Sequence, residues 1–94
     1  MPKIDVENVC QPGKSYTVDA DKYNAMRTAF LKVLPHKPGY TVKQMSKAIL
    51  PQLSQTLFPN GEKSGWWLKC VQLDLEAKGI VMRDKSTPLR LFKP

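Results

Sequence analysis

Gly79 constrains the fold more than any other residue. It closes a stretch, residues 64–78, that reads as a helix, and it is followed at once by Ile80-Val81-Met82-Arg83, which reads as a strand. A chain that leaves a helix and enters a strand with no loop between them needs a left-handed residue at the join. Glycine takes that conformation without a Cβ penalty. Residues 84–88 then read as a turn and residues 89–92 as a return strand, so a hairpin follows directly on the helix.

Two further helices precede this junction. Asp19 is placed to cap the first, over residues 20–34, where Tyr23, Met26, Phe30, Val33 and Leu34 share a face and Pro35 stops the run. Thr41-Val42-Lys43-Gln44 has the spacing of a capping box, with Tyr40 and Met45 placed for a hydrophobic staple. Val42, Met45, Ile49 and Ala48 are expected to line the buried face of this second helix, and Pro51 to end it. Residues 51–63 read as irregular, with a turn of helix around residues 53–57 and Leu53, Leu57 and Phe58 as core plugs. Ser64 is the expected N-cap of the third helix. The N-terminal residues 1–18 read as an extended arm, in two short pieces joined by Pro12-Gly13, leaving residues 19–94 as the main domain.

At 94 residues the chain is one domain in length, too short for a two-lobed enzyme. Its net charge of +7 is unevenly spread: residues 1–20 carry −1, residues 21–50 carry +5 and residues 51–94 carry +3. A basic body of this kind attracts polyanions or an acidic protein, or simply keeps the chain soluble. No apolar stretch approaches the ~20 residues of a membrane span, and the first residues lack the apolar core of a signal peptide. Cys10 and Cys70 are too few for a disulfide framework or a zinc site, so a cytoplasmic protein with two free thiols and no metal or cofactor is expected.

Enzymatic chemistry finds little support. His36 lies in a Pro-flanked connector, and Asp74 and Glu76 point apart on a helix. Gly61-Glu62-Lys63-Ser64 lacks the first glycine of a phosphate loop and has no lysine directly after its own glycine. The expectation is a non-enzymatic protein.

The order helix, helix, helix, basic hairpin is similar to that of a winged-helix domain. The junction Leu75-Glu76-Ala77-Lys78-Gly79-Ile80-Val81-Met82-Arg83 resembles the one found in many bacterial winged-helix regulators. The wider chain, through Glu7-Asn8-Val9, Pro12-Gly13, Gly65-Trp66-Trp67-Leu68-Lys69 and Val71 to Gly79, also resembles a small bacterial single-domain family with no assigned biochemical role. The resemblance implies an α+β winged helix: a three-helix core followed by a C-terminal β-hairpin wing, with the short extended arm in front. It also implies that the third helix enters a DNA groove. One departure concerns the dozen residues 51–63, where compact helix-turn-helix units have a turn of three or four.

On that reading Lys63 and Ser64 offer a phosphate seat at the helix N-terminus, and Lys69 and Gln72 face outward to reach base edges. Arg83, Lys85 and Arg90 grip the backbone or minor groove from the hairpin, and Lys43 and Lys47 add phosphate contacts. Glu76 on the same strip, with Asp74 nearby, opposes a polyanion. Placed at 100° steps, the third helix shows two apolar stripes: Trp67, Leu68, Val71 and Leu75 face the core, while Trp66, Cys70, Leu73 and Ala77 face something else. Burial of Trp66 under the hairpin or arm is the favoured outcome. Left exposed with Leu73, it marks an interaction surface. Two functions therefore stand: binding of double-stranded DNA, or a protein-interaction module, an adaptor or homodimer, that binds no nucleic acid.

Overall fold

The computed structural model describes residues 2–85 and 88–94 as an α+β structure of three helices and two small antiparallel sheets. Strands β1 (Lys3–Glu7) and β2 (Ser15–Asp19) pair with each other in full register, Lys3 opposite Asp19 and Glu7 opposite Ser15. Val6 and Val18 from this pair enter the same core as the helices.

Helix α1 (Ala20–Val33) starts where Asp19 accepts a hydrogen bond from the amide of Asp21, 3.0 Å away. It buries Tyr23, Met26, Ala29 and Phe30. Strand β3 (Tyr40–Thr41) leads directly into α2 (Val42–Ile49). The capping box forms: the Gln44 amide donates to Thr41 Oγ1 at 3.2 Å, and the Thr41 amide donates to Gln44 Oε1 at 2.9 Å. Met45 and Ile49 are buried, but Val42 is 39% exposed. It occupies the first helical position, at the rim and not over the core.

The connector carries two 3₁₀ turns, Leu50–Gln52 and Pro59–Gly61, and between them the Phe58 amide donates to the Ser54 carbonyl at 2.8 Å, a single helical turn where one is expected. Proline at the start of each 3₁₀ turn sets it. Leu53 and Phe58 are buried and Leu57 packs against the core, as expected of plugs.

Helix α3 (Ser64–Ala77) is capped one residue earlier than expected. Lys63 is the N-cap, in a left-handed conformation with φ of 60°, and Ser64 is already helical. At the other end Gly79 has φ of 75°. The amides of Ile80 and Val81 both turn back to the Leu75 carbonyl, at 2.9 and 3.3 Å. These two residues therefore seal the helix end, and strand β4 (Met82–Asp84) begins later than the alternation suggests. Strand β5 (Arg90–Phe92) lies between β3 and β4, antiparallel to both. Part of the turn expected at residues 84–88 lies outside the described residues.

Gly39 shows how tightly the sheet closes. Its φ is +84°, and a Cβ there would lie 2.3 Å from the Leu91 carbonyl oxygen. Only glycine lets β3 approach β5 this closely.

Candidate nucleic-acid interface

Helix α3 holds most of the residues singled out from the sequence. Its core stripe behaves as expected: Trp67, Leu68, Val71 and Leu75 are buried, and Trp67 meets Phe58 edge-on with ring centroids 6.5 Å apart. The second stripe divides. Cys70 is buried beneath Tyr16, whose hydroxyl donates to its sulfur at 3.5 Å. Trp66 is 54% exposed, contrary to the favoured expectation of burial, and leans edge-on against Trp67 at 4.9 Å. Leu73 is half-buried, its carbonyl accepting the Val9 amide at 3.3 Å. The partner of the second stripe is thus partly the β1–β2 pair, which covers Cys70 and leaves Trp66 in solvent.

The polar strip also divides. Lys69 is exposed. Gln72 is only 4% exposed, so it does not face outward as a base reader. Its side-chain amide donates to Glu76 Oε2 at 3.1 Å. Arg83 from β4 meets the same carboxylate with two parallel bonds, Nε to Oε1 at 2.6 Å and Nη2 to Oε2 at 2.9 Å. The Glu76 side chain is 5% exposed. Bidentate geometry on a nearly dry carboxylate makes this a strong charge-assisted contact, and it fastens β4 to α3. Arg83 is therefore committed inside the fold. Arg90 is half-buried, its guanidinium donating to the Gly39 carbonyl at 3.2 Å.

Asp74 is the residue whose importance the sequence reading missed. It is fully buried. Its Oδ1 accepts the Glu7 amide at 2.8 Å, its Oδ2 accepts the Tyr23 hydroxyl, and the Lys78 ammonium sits 2.9 Å away. One carboxylate thereby joins β1, α1 and α3, and the expected Asp74–Lys78 pair is part of that junction. Burial and the bond to Asp74 push the Tyr23 hydroxyl well above the usual phenol range. Burial and the bond to Cys70 push Tyr16 up to about 12, and burial pushes the Cys70 thiol up. The signal was there: Asp74 lies three residues after Val71 and seven after Trp67, squarely on the core stripe.

The remaining candidates are exposed. Lys43, Lys47, Lys63, Lys69 and Lys85 are all solvent-facing, and none is in an ion pair among the described residues. Ser64 is half-buried beside Lys63. A cleft of about 550 Å³ is bordered by Val42 at the start of α2, by Gly65 and Lys69 of α3, and by Arg83 and Leu89 at β4 and β5. Of the five lysines Lys69 lines this cleft, Lys85 lines a neighbouring hollow with Met82 and Arg83, and α2 reaches the cleft through Val42. Among the described residues no three His, Cys, Asp or Glu side chains gather to hold a metal ion, and no helix is long and apolar enough to cross a membrane.

Residues 3–91 match the family model described as Family of unknown function (DUF6958). The chain belongs to this family. No curated protein and no solved structure matches the chain.

Proposed function

We propose that this protein is a winged-helix module that binds double-stranded DNA mainly through phosphates, without catalysis. The sequence of three helices followed by β4 and β5, the strand order β3-β5-β4 and the glycine join at residue 79 support the winged-helix reading. Fold by itself does not give function, so the reading rests on the surface.

The observation that carries it is a set of five exposed lysines with no ion pair among the described residues, Lys43 and Lys47 on α2, Lys63 and Lys69 at α3, and Lys85 beyond β4, with Lys69 lining the cleft that α2, α3 and β4 border. The two carboxylates that oppose a polyanion are withdrawn from it, Asp74 by Lys78 and Glu76 by Arg83. With Gln72 buried and Arg83 and Arg90 engaged within the fold, few side chains remain to read base edges. Binding is thus weakly dependent on sequence and strongly dependent on salt.

Five phosphate contacts give a slope of log K against log[salt] of at most about −4.5, so affinity drops about 500-fold between roughly 50 and 200 mM salt. Fluorescence anisotropy of a labelled mixed-sequence duplex measures this. Lys43→Gln with Lys47→Gln makes the slope shallower by about 2. No binding at the lower salt, or an affinity that salt leaves unchanged, removes the proposal.

A further inference from the structure

The outward stripe of α3 is not built for phosphate alone. Trp66 is left 54% exposed in a fold that buries most of its other large apolar side chains. Two hollows flank the ridge formed by Lys69 and Leu73, and both residues line both hollows. One, of about 300 Å³, is walled by Tyr16, Trp66 and Cys70. The other, of about 550 Å³, adds Leu68 and Leu89 as its apolar lining. Volumes of this order admit organic side chains. The ridge is held in place from behind, because the Leu73 carbonyl bonds the Val9 amide and Cys70 is tied to Tyr16. Apart from thymine methyls, the edge of a duplex offers little that is apolar to such hollows.

Charge identifies the occupant. Lys69 stands exposed between the hollows, without an ion pair among the described residues, and no described carboxylate lines either one. The chain carries +7, so a second copy would bring like charge to the same place. We infer that this face docks a short acidic peptide segment of a partner protein. Two apolar side chains of the segment fill the hollows on either side of Lys69, and a carboxylate between them meets its ammonium. Rigid aromatic anchors beside a desolvated charge pair are the usual centre of such contacts. This site shares Lys69 and the larger hollow with the duplex-binding face, and Trp66 is the residue that distinguishes the two.

The test is selection of peptides from a random phage library of about twelve residues on the full chain, followed by titration of synthetic copies. Enriched peptides are expected to carry Asp or Glu between two aliphatic or aromatic residues. Trp66→Ser and Lys69→Glu should each weaken them by about tenfold or more, while Lys43→Glu changes affinity by less than about twofold. Trp66→Ser should keep its duplex affinity, which separates failure of this inference from failure of the DNA reading. Lys69 is fully outside the core, so its variant reports even if the tryptophan variant folds poorly. Four results overturn the inference: no enriched sequence, enriched peptides without an acidic residue, affinity indifferent to Lys69→Glu, or a dimer by light scattering that Trp66→Ser dissolves.

Discussion

Replacing Asp74 by alanine should cost more stability than any other polar substitution in this chain. Three donors converge on its carboxylate: the Glu7 amide, the Tyr23 hydroxyl and the Lys78 ammonium. The Lys78 side chain is 37% exposed and rehydrates easily, so losing that pair costs no more than about 1 kcal/mol. The Tyr23 hydroxyl is buried and the Glu7 amide partly so, and each orphaned donor costs about 1–3 kcal/mol. The total is about 2–7 kcal/mol, centred near 4, a large part of the roughly 5–15 kcal/mol that holds a domain folded. Asp74→Asn keeps one acceptor but turns an NH₂ toward another donor, so it falls between alanine and wild type. Tyr23→Phe removes one bond and leaves the carboxylate with Lys78, at a cost of about 1 kcal/mol. Urea unfolding followed by tryptophan fluorescence should show the alanine midpoint lowered by about 2 M with an unchanged slope. A loss below about 1 kcal/mol for Asp74→Ala would refute the reasoning that this carboxylate joins β1, α1 and α3.

Other expectations follow from the same geometry. Gly39→Ala forces a Cβ against the Leu91 carbonyl at a positive φ and should destabilise by about 3 kcal/mol; a melting temperature within about 4 °C of wild type would contradict the close approach of β3 to β5. The raised hydroxyls of Tyr16 and Tyr23 keep their protons in the folded state above the unfolded phenol value of about 10. Their contribution is therefore complete below about pH 10 and is lost as pH climbs through the folded values, about 12 for Tyr16. Urea midpoints across that range should fall less steeply in Tyr23→Phe, and an equally steep fall would remove the assignment. A thiol reagent should label Cys10 in the native protein and Cys70 only after unfolding, because Cys10 is exposed and Cys70 is buried with its thiol pushed up. Fast labelling that survives Cys10→Ser would show that Tyr16 does not cover Cys70.

Local chemistry made much of this fold readable. Asp19, Thr41 with Gln44, Pro51 and Gly79 each act within a few residues of their own position, and each sets a boundary where its chemistry puts it. Elements defined by distant partners were not readable. Strand β3 is two residues long and exists because β5 lies beside it, so no alternation could announce it. The same holds for Gln72, which looks like an outward polar residue until Glu76 and Arg83 are seen to close over it. Trp66 departs in the opposite direction: its size argued for burial, but the cover over this stripe consists of Tyr16 on Cys70 and the Val9 amide on Leu73. The candidate lysines are exposed, whereas Arg83 and Arg90 have long planar heads that found partners within the fold.

On the function proposed above, α2, the N-terminal half of α3 and β4 together form the duplex-binding face. Amide chemical-shift mapping with a short duplex at low salt tests it most directly. Binding at that face perturbs amides at residues 42–47, 63–69 and 82–85 and leaves α1 silent. Perturbations confined to the outer face of α1, or none at near-millimolar duplex, would contradict it.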